Sequence, residues 1–401
     1  MAEVSGSQVA PISPDANEAQ RVTANSLVQE YLLEHFPFYR ELHELREQAS
    51  TYALDSSSSI PSRTDNNTQG WKSDAGDAFF KKQRQRADKA SAKDKAGFYN
   101  MMRLIGFELD KETRALTIQG RSNSRPAILD LCMAPGGFSS AALRCNPSAL
   151  LRGISLPPSQ GGHEMLLGES WSETDPEADI YISFRDITLL AEEMGTPLSS
   201  IPAEHADAAS FSSDRPFLEQ QFDLVFCDGQ VLRMHERSDY RENFEASRLL
   251  TSQLVLALQR IRSGGTMVIL LHKANGWQSV FLMYTFAAFT DHIRLFKPLK
   301  AHKTRSSFYL VAKGVHPECE AALGAVRQWK AKWRMSTFGL GDGDDDEPDE
   351  AKLEVLESGG EEKVKAVLQE FGPALVKMVE PVFRVQAEAL KKATWMKKKK
   401  T

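Results

Sequence analysis

Apolar positions recur along the chain first at helical spacing and then in short strand-like runs. From Ser13-Pro14-Asp15, residues Val22, Leu27, Val28, Tyr31 and Leu32 share one helical face, which predicts a helix. Phe36-Pro37 interrupts it, and a second helix runs to about Gln48. Residues 1–14 are small and polar and read as disordered, and 55–70 as a linker or long loop. Apolar runs then predict strands at Ala127–Leu131, 151–156, Asp179–Phe184, Phe222–Cys227, 266–271 and 308–312. A short helix is expected after the first of these, a long amphipathic one from Tyr240 to Arg262, and an apolar one from Val280 to Phe289. Gly264-Gly265 reads as the stop of the long helix. Residues 189–220 form a polar insertion, and 318–336 read as helical. Val364, Val367, Leu368, Phe371, Leu375, Val376 and Val379 predict a terminal helix pair broken at Gly372-Pro373, with an apolar face for the core or for a protein partner. Strands alternating with helices are the signature of an α/β protein.

Composition narrows the class. Of the 401 residues 41% are hydrophobic, which excludes global disorder, and the length suits one catalytic-sized domain with appendages. Four cysteines without a CxxC pair make neither a disulfide framework nor a zinc site, so no metal is expected and a reducing compartment is. No apolar run of 18 residues occurs and the N-terminus lacks signal-peptide character. The expectation is therefore an intracellular protein, of nucleus or cytoplasm, with no membrane span. The net charge of −5 sums unlike parts. Segment 81–125 carries twelve Lys/Arg against five acids, and 292–305 reads as a basic loop with five Lys/Arg and no acid. Residues 341–350 hold seven acids in ten positions, a solvated linker, and the chain ends in Lys397 to Lys400. A near-neutral total thus leaves room for an RNA substrate.

Three strand ends carry candidate chemistry. In Ile128-Leu129-Asp130-Leu131-Cys132-Met133-Ala134-Pro135-Gly136-Gly137-Phe138-Ser139 an apolar strand enters a glycine turn and then a helix, so the backbone can approach a ligand and free amides can face it. The string is not GxGxxG, and a dinucleotide is not implied. Phe222-Asp223-Leu224-Val225-Phe226-Cys227-Asp228-Gly229 ends a buried strand in a carboxylate, where doubly wound sheets bind ligands. Asp186 follows a third strand and competes with a helix-capping role. His235-Glu236 lacks a second zinc-binding histidine and reads as a polar surface pair. Trp277 reads as core more readily than as a base-stacking platform.

With these motifs in place, the sequence resembles the FtsJ-like 2′-O-ribose RNA methyltransferases over roughly residues 95–315. The glycine turn is similar to their first cofactor motif, and Asp228-Gly229 to their fourth. The run from Gly264-Gly265 through Lys297-Pro298 to Tyr309-Leu310-Val311-Ala312 is similar to their C-terminal third. The resemblance implies a Rossmann-like class I fold, a doubly wound and mostly parallel seven-stranded sheet, with S-adenosylmethionine as donor. It implies cofactor contacts from Asp130, Pro135, Gly136, Gly137, Phe138, Asp186 and Asp228, with Asp186 at the adenine and Asp228 beside the methyl donor. The acid this family keeps after its second strand falls near Ser155. Of its Lys-Asp-Lys-Glu tetrad, Asp228 matches the Asp, and the second Lys falls on Leu270 ungapped or on Lys273 with an insertion. The Glu falls on Ser307, and the first Lys near Asn100, with Lys95 as substitute. The implied function is methyl transfer to a ribose 2′-hydroxyl of rRNA or an mRNA cap region through Asp228 and Lys273. The alternative is a catalytically degenerate relative that binds cofactor or RNA as an accessory module. The chain divides into a helical extension and linker (1–70), a methyltransferase domain (71–336), an acidic linker (337–350) and a helical appendage with a Lys-rich tail (351–401).

Overall fold

The computed structural model describes residues 14–51, 91–119, 125–167, 179–339 and 359–393. The readings of residues 1–13 and 55–70, the basic stretch 81–90, the acidic run 341–350 and the Lys-rich end lie outside the described residues. Seven strands form one sheet: β1 (Ala127–Leu131), β2 (Leu150–Ser155), β3 (Asp179–Phe184), β4 (Phe222–Cys227), β5 (Ile261–His272), β6 (Thr290–Phe296) and β7 (Ser307–Val315). Their spatial order is β3-β2-β1-β4-β5-β7-β6. All run parallel except β7, which is antiparallel to both of its neighbours. β1 is buried at every position, as a parallel strand covered on both faces must be.

Alternate residues of the strands serve two cores. Ile128, Leu224, Phe226, Val268 and Tyr309 meet helices α3 (Ala92–Thr113) and α4 (Gly137–Cys145) on one face. Leu129, Val225, Met267, Ile269 and Leu310 meet α5 (Glu245–Arg260), α6 (Trp277–Ala287) and α7 (Glu320–Phe338) on the other. The sheet is therefore doubly wound, an α/β Rossmann-like fold. α3 lies close on α4: a Cβ added at Gly106 would stand 2.7 Å from Ala141 Cβ, so glycine is required there.

The two chain ends join the second core. α1 (Pro14–His35), α2 (Pro37–Thr51) and α8 (Glu361–Lys391) pack together and onto α6. Arg46 of α2 donates to Gln386 of α8 (2.7 Å) and to Asn275 in the turn before α6 (3.2 Å). The Trp277 amide donates to Asn25 of α1 at 2.8 Å, and Trp277 itself is buried in the core.

Three expectations are corrected and a fourth gains detail. The terminal helix pair is one helix that runs through Pro373 and Pro381, because its buried face is continuous and Gly372 seats against the Tyr31 ring of α1. The long helix starts at Glu245 and ends at Arg260. The Gly264-Gly265 pair instead lies within β5, where the pairing with β4 and β7 shifts register. Residues 290–296 are an edge strand rather than part of a basic loop. The insertion 189–220 is organised by short 3-10 turns, and its Phe211 ring lies 6.1 Å from Trp333 of α7.

Candidate functional site

A crevice of about 110 Å³ opens at the carboxyl ends of β1 to β4, where the order of a doubly wound sheet reverses. Its walls are apolar at Ile154, Leu156, Ile187, Val231, Leu232 and Leu249, and Ser155, Asp186 and Asp228 bring polar groups to it. Phe98 and Met102 of α3 close one side. They are fastened over it by the Lys95–Glu164 ion pair (3.0 Å) and by Phe98 packing on His163 at 5.6 Å.

The glycine turn shapes this crevice more than it lines it. Cys132 and Ala134 face the cavity; Asp130, Pro135, Gly136, Gly137 and Phe138 are not among its lining residues. Gly136 has φ of 95°, which glycine adopts without strain, and a Cβ there would meet Leu167 Cβ at 2.9 Å and Met165 Sδ at 3.2 Å. The space beside it is taken by the chain itself. Gly137 lies equally close to α3, its added Cβ 2.5 Å from the Tyr99 carbonyl. Phe138 is core, with its ring 5.6 Å from Phe226 and 5.4 Å from Tyr309. Asp130 is 1% exposed; one carboxylate oxygen accepts from Ser139 Oγ and the other has no partner. Burial pushes Asp130 up to about 7, against the weaker opposing effect of Ser139.

Asp228 follows β4 and does line the crevice, at 7% exposure. Burial, then the charge of Asp130, pushes its carboxyl well above the usual range. Asp186 also lines it, but its carboxylate is engaged elsewhere. One oxygen accepts from the Thr188 amide (2.9 Å) and hydroxyl (2.7 Å), the capping arrangement, and the other from Arg241 Nη2 at 2.8 Å. Burial acts to raise its pKa, yet Arg241 and these hydrogen bonds bring it below the ordinary value. Arg241 also donates to Glu245 (2.7 Å), and His235 Nε2 stands 3.4 Å from Asp186. Ligand atoms of Asp186, His235 and Glu245 lie within 4.8 Å of one another, but the Arg241 guanidinium fills the place a metal cation would take.

Lys273 is brought to neither aspartate's wall of the crevice. It is exposed on the turn after β5, with φ of 54°, and its amide donates to the Ser306 carbonyl at 3.1 Å. Cys227 pairs with Ile269, so Leu270 is the β5 residue level with Asp228. Ser307 pairs with His272. Lys297 of the Lys-Pro signature is buried and donates to the carbonyls of His302 (2.9 Å), Arg305 (2.5 Å) and Ser307 (2.5 Å). Burial, with Arg46 and Arg305 nearby, lowers it to about 7. It fastens the β6–β7 loop, and no lysine lines the crevice among the described residues.

Several wall residues carried no readable signal. His235 is a largely buried crevice residue, not a surface group, because the 229–238 segment folds back over Asp186. Gln230 also lines the cavity, and its side-chain oxygen lies 2.8 Å from His272 Nε2. Arg241 meets both Asp186 and Glu245, and Arg248 meets Glu245, pairings that the sequence spacing alone does not show.

The model of the FtsJ-like methyltransferase family matches residues 107–315. Among solved structures, one described as a ribosomal RNA methyltransferase from Plasmodium falciparum is 18% identical, covering 53% of this chain and 96% of its own, at a TM-score of 0.32. Human methyltransferase-like protein 13, in complex with SAH, is 14% identical, with coverages of 65% and 97% and a TM-score of 0.28. The N-methyltransferase NodS from Bradyrhizobium japonicum is 14% identical, with coverages of 52% and 97% and a TM-score of 0.31. No significant match is found among curated proteins.

Proposed function

The chain belongs to the FtsJ-like methyltransferase family, and from that premise we propose that it transfers the methyl group of S-adenosylmethionine to a ribose 2′-hydroxyl of RNA. The observation that carries this reading is Asp228, a buried carboxyl at the end of β4 that lines the crevice where such a sheet binds its ligand. The crevice suits the donor. Ile154, Ile187 and Leu249 make an apolar slot for a purine ring, and Asp130 has an unpartnered buried oxygen at the end of the neighbouring strand. Bound there, the donor supplies an electrophilic methyl on a sulfonium. Asp228 orients the attacking hydroxyl by accepting its hydrogen bond, which holds the reacting atoms in line. Asp186 braces the adenine side, with its carboxylate fixed by Arg241 and Thr188. The Pro135-Gly136-Gly137 turn, Phe138 behind it and Asp130 set the backbone that the methionine part meets. Lys300, Lys303 and Arg305, all exposed beyond β6, suit the phosphates of an RNA acceptor.

A second reading, a degenerate relative that binds cofactor or RNA without turnover, is favoured by one observation. Leu270 stands where a lysine would flank Asp228, and Lys273 lies three residues further on, roughly 10 Å along the strand. Labelled methyl transfer from S-adenosylmethionine to capped and structured RNA separates the two. Incorporation that disappears in Asp228→Ala supports the first reading; cofactor binding without transfer to any RNA supports the second. Unchanged turnover in Asp228→Ala would remove the mechanism.

A further inference from the structure

We infer that Asp130 and Asp228 act as a proton-sharing carboxyl pair that selects a cationic ligand, so that the crevice takes up the sulfonium donor with release of a proton and prefers it to the neutral thioether left after transfer. The inference rests on the reading of the crevice as a cofactor site. It adds what the pair does to affinity, to the proton count and to product release.

The geometry begins with strand register. Asp130 pairs with Phe226 across β1 and β4, and Asp228 follows the last residue of β4, so the two carboxyls stand at adjacent strand ends. They are 1% and 7% exposed. Asp130 has one hydrogen-bond partner, Ser139 on α4, and one buried oxygen with none. A buried carboxylate oxygen left unpaired is costly, and two buried carboxyls at adjacent strand ends cannot both ionise cheaply.

The one arginine or lysine among the described lining residues, Arg185, is paired with Asp214. The groups that act on the pair and on its neighbours are the thiols of Cys132 and Cys227, the phenol of Tyr309 from β7, and Asp186 across the crevice. Each is neutral or acidic. On the far wall Arg241 is engaged with Asp186 and Glu245, and His235, whose pKa burial lowers, stands against the same two carboxylates. Lys297 and the 302–307 loop form a separate basic group bound to backbone carbonyls. In agreement, burial holds both carboxyls above their ordinary range, and at Asp228 the charge of Asp130 adds to it. The free protein therefore keeps at least one proton on the pair near neutrality. A sulfonium brought against Asp228 supplies the missing positive charge and expels that proton to solvent. A thioether brings no such charge to that point.

The test is calorimetric titration of the full chain with S-adenosylmethionine and with S-adenosylhomocysteine, in phosphate and in Tris, from pH 6 to 8. For the sulfonium the binding heat should differ between the buffers by about one proton at pH 7, and affinity should fall by up to about tenfold per pH unit on acidification. The thioether should show neither effect and should bind at least about tenfold more weakly at pH 8. In Asp228→Asn the preference and the buffer dependence should both vanish while thioether affinity persists. Equal affinity for the two ligands with buffer-independent heats overturns the inference and leaves the methyltransferase reading standing. Binding of neither ligand overturns that reading and the inference with it.

Discussion

Asp130 is a carboxyl whose environment favours the proton. It titrates at about 7 in the folded chain against 3.8 for an ordinary Asp. Between those values the folded state binds a proton that the unfolded chain has released. The stability this contributes is complete below the lower value and is lost as pH rises through the higher one. Asp130→Asn keeps the shape and the Ser139 hydrogen bond but removes the titration. Relative to wild type, the variant should gain on the order of a few kcal/mol of stability between pH 5 and pH 8. Urea midpoints at the two pH values measure this, and parallel changes in both proteins would refute the shifted carboxyl. At the same scale, Asp186 lines the crevice as a strand-end acid whose partners the sequence does not show. Its capping of Thr188 is local and was legible beforehand, whereas Arg241 reaches it from 55 residues away.

At the scale of elements, what the sequence made legible follows from burial on both faces. β1 and β4 fall on the expected residues because parallel strands covered on both faces read as apolar runs, and β3 does so too although it is an edge strand with Tyr181 and Phe184 exposed. β6 was hidden because its Asp291, His292 and Arg294 interrupt the apolar run and look like loop. The proline-bearing α8 was split in the reading because local rules stop a helix at proline, while packing on α1 and α2 outweighs that cost. Register also decides the site. Leu270 stands level with Asp228, so Leu270→Lys puts an ammonium beside the carboxyl that lacks one. That substitution should raise labelled-methyl transfer to RNA by on the order of tenfold to a hundredfold. No gain with cofactor affinity intact would show that the flanking lysine is not what limits turnover. Helix packing yields a second prediction. In Gly106→Val the new Cβ meets Ala141 Cβ at 2.7 Å, backbone-anchored on both sides, so α3 must move off α4. Overpacking of this kind costs about 1–3 kcal/mol, more than valine gains over glycine in helix propensity. A thermal melt should fall by several degrees, and cofactor affinity should fall with it, because Phe98 and Met102 ride on α3. An unchanged melting temperature would mean that α3 is not held against α4 as described.

The whole molecule joins its ends. α1, α2 and α8 come from opposite termini, yet they share a single buried cluster with α6 and with β5 and β7 of the sheet, from Ala24 to Leu390. Arg46, Asn275 and Gln386 tie that helical layer to the turn before α6, and Gln386 also donates to the Thr304 carbonyl at 3.3 Å in the loop fastened by Lys297. Among the described residues, a unit built this way has no internal seam along which α1, α2 and α8 could leave separately. Calorimetric unfolding should therefore be one transition, with α8 lost together with the sheet. A protease site inserted between Asp342 and Gly343 gives a sharper form of the same prediction. After cleavage, the α8 fragment should co-elute with the remainder under native conditions, since Val379, Phe383 and Leu390 are fully buried against the rest. Val379→Asp puts an unpaired charge into that contact, which costs several kcal/mol, and should release the cleaved fragment. Dissociation of the cleaved wild-type fragment would instead make α8 a detachable appendage, and would free its apolar face for a protein partner.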